Sequence, residues 1–280
     1  MCGSNSIPFS KDLSLKIGGA ELGETPFPTT RIRKGGVLYY GGLDLSEEGV
    51  GFGVPILKRG LEEFFPGKCS LSFKVNGTRA EAIADFTMNL VERVAVGRGE
   101  SVKSPLLYRV HHALASLHMA CPWARSILDV VSNRSRRLLG IRTVFEEVES
   151  AGRVNVRYAI DARARLIRVT VRHIGSAGAP CGELIVMNEQ GAHHFDRYTD
   201  SSGTLLEGDG IESWKEIAAE EATMTSSRFG VAFTLKQVEG TRLFRGRECV
   251  DRRFAWSGFA YAVSIPVSEF RYDVGIGLIE

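Results

Sequence analysis

The chain has 280 residues, 44% of them hydrophobic and 24% charged, a balance that suits a globular protein with a large core. Its 35 basic and 33 acidic residues leave a net charge of +2, too weak a field to draw the whole molecule to nucleic acid. The cysteines Cys2, Cys69, Cys121, Cys181 and Cys249 are odd in number and contain no C-x-x-C pair, which argues against a disulfide framework, a zinc ribbon or a thioredoxin-type site.

The opening "MCGSNSIPFSKDLSLKIGG" has neither a basic leader nor a signal-peptide apolar run, and no window approaches the ~18 apolar residues that cross a bilayer. A cytoplasmic protein forming one domain over 1–280 is the expectation. "VGFGVPIL" and "LSFKVN" then read as strands bounded by Gly and Asn. The glycines of "GVGFG", Gly49 to Gly53, are wrongly spaced for a dinucleotide fingerprint, and no phosphate loop follows. In "AIADFTMNLVERV" one face carries Ala84, Phe86, Met88 and Leu90 and then Glu92, an acid at the end of an apolar row. Buried there, Glu92 would hold its proton near neutral pH and is a candidate catalytic acid.

From Ser104 the period changes. Ser104 stands at a cap position, Pro105 opens the helix, and Leu107, Val110, Leu114, Leu117 and Cys121 follow at helical intervals until Pro122 interrupts. Residues 104–140 are therefore expected to form an inserted helical hairpin. Segment 103–142 carries seven cations against the single acid Asp129, so it can lie on an anionic membrane surface, cover an anionic substrate, or serve as a solvated helix face.

Alternation then returns in "VNVRYAID", with Val154, Val156, Tyr158 and Ile160 on one face, and in "LIRVTVRHI", with Ile167, Val169 and Val171. Leu184 to Met187 are apolar without alternation, as in a strand covered on both faces. They run straight into "NEQGAHHFD", a polar cluster at a strand exit. Asn188, Gln190 and His193 are candidate ligand-binding groups. His194 is a candidate general base oriented by Asp196 two residues on, which would raise its titration above the free value, and Glu189 is the complementary acid. Gly191 lets a ligand or backbone approach closely, and Asp200 in "DSSG" reads as a turn former. The H-x-D form of His194 to Asp196 lacks the later histidine that an iron site needs, so neither a metal nor an organic cofactor is assigned.

"IESWKEIAAEEA", Ile211 to Ala222, reads as a second, short helix. "FGVAFTLKQV", "TRLFRGRE", "FAWSGFAYAVSI" and "FRYDVGIGL" complete the strands. Arg245 and Arg247, with Arg252, Arg253 and Trp256 nearby, suit a floor for an anionic planar ligand.

Roughly fifteen strands exceed an immunoglobulin-sized fold and predict a mainly β protein, a large antiparallel two-sheet β-sandwich, supersandwich-like, with the helical hairpin inserted. Size and strand count resemble the large sandwich of galactose mutarotase-like proteins, and "NEQGAHHF" is similar to the histidine-and-asparagine strand of those sugar epimerases. The resemblance covers that one stretch and is an analogy of shape.

Three functions follow. The first is an acid/base enzyme, an isomerase, epimerase or lyase, on a polar small molecule such as a carbohydrate or an anionic ligand. The second is a membrane-surface enzyme that protonates or hydrates an isoprenoid or acyl lipid. The third is a non-catalytic binding or assembly module. No partner nucleic acid is expected.

Overall fold

The computed structural model describes residues 6–18, 35–47, 49–97, 100–101, 141–175, 181–251, 254–265 and 269–279. Most of this is strand: β1 (Ser6–Pro8), β2 (Leu13–Ile17), β3 (Gly36–Tyr40), β4 (Leu43–Asp44), β5 (Gly51–Arg59), β6 (Glu62–Asn76), β7 (Arg79–Gly97), β8 (Glu100–Ser101), β9 (Ile141–Asp161) and β10 (Leu166–Gly175). After these come β11 (Glu183–Gln190), β12 (Arg197–Asp200), β13 (Leu205–Glu207), β14 (Lys215–Ile217), β15 (Glu221–Ser226), β16 (Val231–Lys236), β17 (Thr241–Asp251), β18 (Phe254–Ser264) and β19 (Phe270–Leu278). The expected hairpin over 104–140 lies outside the described residues. Among the described residues, no helix is long and apolar enough to cross a membrane.

The chain divides into two compact units, residues 1–90 with 149–280, and residues 91–148. In the second, β7 turns back on β8 through the pairs Val96 with Ser101 and Gly97 with Glu100. The first holds the core and the site described below.

The expected two-sheet sandwich is corrected to one large antiparallel sheet. Hydrogen bonding runs without a break through β13, β12, β15, β16, β19, β10 and β9. It continues through β7, β6, β5, β11, β18, β17 and β14. A branch of β1, β2 and β3 joins β5 at the pair Gly36 with Phe52. A twisted sheet of more than ~10 strands curls, because each strand adds its right-handed rotation. The curl brings distant strands together: Phe233 of β16 lies 5.2 Å from Phe52 of β5 and 5.7 Å from Phe259 of β18. The Tyr158 hydroxyl of β9 donates to the Phe52 carbonyl at 2.9 Å.

Period-two burial follows the apolar pattern. Val154, Val156, Tyr158, Ile160, Ile167, Val169, Val171, Phe270, Tyr272, Val274 and Ile276 all face the core. The outward Arg168 of β10 stands opposite Asp273 of β19 and pairs with it at 2.9 Å.

Two local expectations are corrected. Leu184 and Val186 are buried while Ile185 and Met187 are half-buried, so β11 is fully covered on one face only. Ile211–Ala222 is not a helix: a 3-10 turn spans Gly208–Ile211, and β14 and the start of β15 follow. The helix-favouring residues are overridden because Lys215, Glu216 and Ile217 satisfy their backbones on Arg245, Phe244 and Leu243 of β17.

Candidate active site

The polar exit of β11 serves two purposes. Asn188, Glu189 and Gln190 are all buried. Asn188 Oδ1 accepts from the Tyr272 hydroxyl at 2.7 Å and the Gly53 amide at 3.2 Å, while its Nδ2 donates to the Val186 carbonyl. Gln190 accepts from the Leu38 amide and donates to the Gly36 carbonyl, both at 3.2 Å. These two candidate ligand groups therefore fasten β11 to β3, β5 and β19. Where the ladder loses register, free backbone groups would otherwise be stranded.

Glu189 points to the other face, where its Oε2 accepts from the Val50 amide at 3.3 Å. Burial pushes its carboxyl up to about 7, against the lowering effect of that amide. It is an acid that keeps its proton close to neutrality.

Beyond Gln190 the chain turns, with the His194 and Phe195 amides donating to the Gly191 carbonyl. This turn presents His193 and His194 to a carboxylate that the sequence did not single out, Glu47. The bend carrying Glu47 is fixed by Asp44, whose Oδ1 accepts from the Ser46 amide at 2.7 Å and the Ser46 hydroxyl at 2.6 Å. It places Glu47 in the left-handed backbone region, at φ 46°. A Cβ on Gly191 would stand 2.5 Å from Glu47 Oε2, so the absence of a side chain there is what admits the carboxylate.

Glu47 receives the His193 backbone amide at 3.1 Å, and its two oxygens lie 2.9 and 3.1 Å from His193 Nδ1. His194 Nε2 is 3.7 Å from the same carboxylate. Asp196, the expected orienter, instead accepts from the Ser227 amide at 3.0 Å, on the turn after β15. A side chain two residues away on an extended chain would reach His194, but the chain turns at Gly191 and the two part company.

The expected rise in the His194 titration is reversed. Burial holds its imidazole below the usual histidine range. Glu47 opposes that effect, and the charges of Arg228 and His193 add to it. Its Nδ1 is buried with no partner among the described residues. The ring packs 5.5 Å from Phe229, whose face carries the Arg228 guanidinium at 5.0 Å. His193 is more open, with 40% of its side chain exposed. Its Nε2 lies 3.4 Å from Cys249 Sγ at the end of β17.

The arginines belong to two settings. Arg245 is buried, donates to the Ile211 carbonyl at 2.6 Å and lies over the Tyr198 ring at 5.1 Å, so it holds the 3-10 turn. Arg247 joins the histidine corner: Nη2 donates to the Ala192 carbonyl at 3.3 Å and Nη1 to Asp209 at 2.7 Å. Trp256 stacks on Trp214 at 4.5 Å. Asp200 forms its expected turn through the Ser202 and Thr204 amides. Glu92 lies in β7 with its side chain outside what the structure describes, and Arg252 and Arg253 lie outside the described residues.

A surface cavity of about 660 Å³ lies on β10, β15, β16 and β19 and shares no residue with this corner. In its charged lining Arg168 pairs with Asp273 and Lys236 with Glu221, while Arg271 pairs with Glu269 outside it. Among the described residues, no group of three or more His, Cys, Asp or Glu has the geometry to hold a metal ion.

No protein-family model matches the chain, and no curated protein sequence matches it. In fold it is similar to the α-N-acetylgalactosaminidase NagBb from Bifidobacterium bifidum. Against the GalNAc complex the TM-score is 0.50 at 8% identity, and against the Gal-NHAc-DNJ complex 0.50 at 10%. Each match covers 98% of this chain and 36% of the other, so the chain spans little more than a third of that enzyme's length. Identity this low makes the likeness one of fold alone.

Proposed function

We propose that the protein is an acid/base enzyme acting on a polar, carbohydrate-like small molecule, with proton transfer carried by the histidine pair on Glu47. The observation that carries this reading is the single carboxylate shared by two adjacent imidazoles, 2.9 Å from one and 3.7 Å from the other. A carboxylate can only accept, so His193 Nδ1 carries the hydrogen facing Glu47 and Nε2 is left to take a proton. Glu47 then stabilises the imidazolium that forms. His194, kept neutral by burial, avoids placing a second cation beside it.

The surroundings suit a sugar-like ligand. Phe229 offers an apolar ring, while Arg228 offers a cation for an anionic substituent. The fold neighbour is named as a glycosidase and one of its structures holds GalNAc, which supports the same ligand class. Glu189 supplies a protonated carboxyl at the strand exit.

The test is solvent exchange. Aldoses, ketoses, uronic acids and N-acetylhexosamines are incubated with the protein in D2O and followed by proton NMR. Incorporation of deuterium into one class is expected, falling by about 100-fold or more in His193→Gln and Glu47→Gln, the usual worth of a positioned base. Exchange in no class, or exchange indifferent to both substitutions in folded protein, would sink the reading.

A further inference from the structure

Three groups stand in line at the histidine corner: Cys249 Sγ, 3.4 Å from His193 Nε2, and His193 Nδ1, 2.9 Å from Glu47. We infer that Cys249 is a nucleophile activated by His193 and Glu47, and that the site forms a thioester with the acyl group of an ester substrate. A thiol, an imidazole whose near nitrogen faces it, and a carboxylate holding the far nitrogen are the three parts a covalent acyl-transfer site requires.

Local structure supports this placement. The ladder between β17 and β18 shifts register between Cys249 and Asp251, a bulge that ends regular pairing and re-aims the side chain beside it. Arg247 precedes Cys249 by two residues and so shares its strand face. Its side chain is nine-tenths buried, and its Nε has no partner among the described residues. One unspent buried donor, on a guanidinium whose charge is already paired with Asp209, thus lies on the face where negative charge would develop on a carbonyl oxygen. Cys249 itself is half-buried, and the ring it faces is open to solvent, so an ester can approach.

The step balances without further reagents than water. The Cys249 proton passes to His193 Nε2, and the sulfur bonds to the carbonyl carbon. The ester C–O bond then breaks, and the alcohol leaves with the proton from His193. Water, giving its proton to the same nitrogen, next cleaves the thioester, releasing the acid and restoring the thiol.

This inference rests on the reading of Glu47 and His193 given above, yet its test needs no sugar. The full chain at pH 7 is treated with limiting iodoacetamide, and alkylation is followed cysteine by cysteine by peptide mass spectrometry. Half-buried Cys69 serves as the reference thiol and buried Cys181 as the monitor of folding. A free thiol is only a few per cent ionised at pH 7, so a thiol ionised by its partner can react up to about 30-fold faster. Cys249 is expected to react at least about 10-fold faster than Cys69 and to lose that advantage in both His193→Gln and Glu47→Gln. p-Nitrophenyl acetate should give a burst of one equivalent and an acetyl group on Cys249, both absent in Cys249→Ser.

If Cys249 reacts no faster than Cys69, or keeps its rate in folded His193→Gln and Glu47→Gln, the inference is overturned. Should either variant expose Cys181, the other variant and the wild-type comparison with Cys69 still decide. Sugar exchange without Cys249 reactivity would overturn this inference alone. Cys249 reactivity without exchange would overturn only the carbohydrate reading.

Discussion

Replacing Glu189 with glutamine should strip a pH dependence from the stability of the protein. Burial raises the Glu189 carboxyl from 4.5 to about 7 in the folded chain. Below pH 4.5 the group is protonated in both states. Between 4.5 and about 7 only the folded state keeps the proton, so the folded state binds more protons and stability falls as pH rises. At 1.36 kcal/mol for each unit, the loss is about 3 kcal/mol and is complete just above pH 7. The introduced amide would mimic the protonated acid, accept from the Val50 amide, and not titrate. Urea unfolding followed by tryptophan fluorescence at pH 4 and pH 8.5 should therefore give two proteins of similar stability at the lower pH. At the higher pH, Glu189→Gln should lead by about 3 kcal/mol. His194 contributes with the opposite sign: its depressed folded value means that stability is lost as pH falls through 6.5, but it is common to both proteins and cancels in the difference. A gap between the two proteins that is the same at both pH values would refute the reasoning.

Gly191→Ala should dislodge Glu47, since the new Cβ would stand 2.5 Å from its Oε2; the His193 Nδ1 proton should lose its downfield NMR resonance while overpacking costs about 1–3 kcal/mol. Asn188→Leu leaves the Tyr272 hydroxyl and the Gly53 amide unpaired in the core and should cost about 3 kcal/mol or more, read as a lower urea midpoint at unchanged slope. Gly246→Ala would set a Cβ 2.9 Å from both Trp214 and Trp256, and should abolish the near-ultraviolet circular dichroism of their stack.

Where burial has a short period, the sequence announces it. The rows Val154 to Ile160, Ile167 to Val171 and Phe270 to Ile276 are all half-buried strands because one face of each meets the core. Lateral pairing leaves no such mark. Whether β5 continues into β11 or begins a second sheet depends on partners more than a hundred residues apart, and local alternation is the same in either case. Ile211–Ala222 failed because helix-favouring Ala, Glu and Lys carry no record of the open edge of β17 that captures Lys215 to Ile217. At the site, the histidines and Glu189 stand out as polar groups beside a buried strand. Glu47 does not, because 146 residues separate it from His193 and only the Asp44 bend around it is a local signal. Cys249, 56 residues from His193, was equally silent. Asn188 and Gln190 mislead for a physical reason: a buried amide can serve backbone groups as well as a ligand.

A ladder this long has outer strands, and those strands expose rows of unpaired amides and carbonyls to any other extended chain. Among the described residues, β13 and β14 close the two ends of the ladder and β1 closes one end of its branch, each with three residues. β14 bears Lys215 and Glu216, β13 ends in Glu207, and β1 ends in Pro8, which has no amide to offer. Strands so short, each charged or ended by proline, give an incoming segment too few hydrogen bonds to dock. Resistance to edge-to-edge polymerisation is thus built into these three edges, and lengthening any one of them with alternating apolar residues should convert the protein into a template for fibre growth.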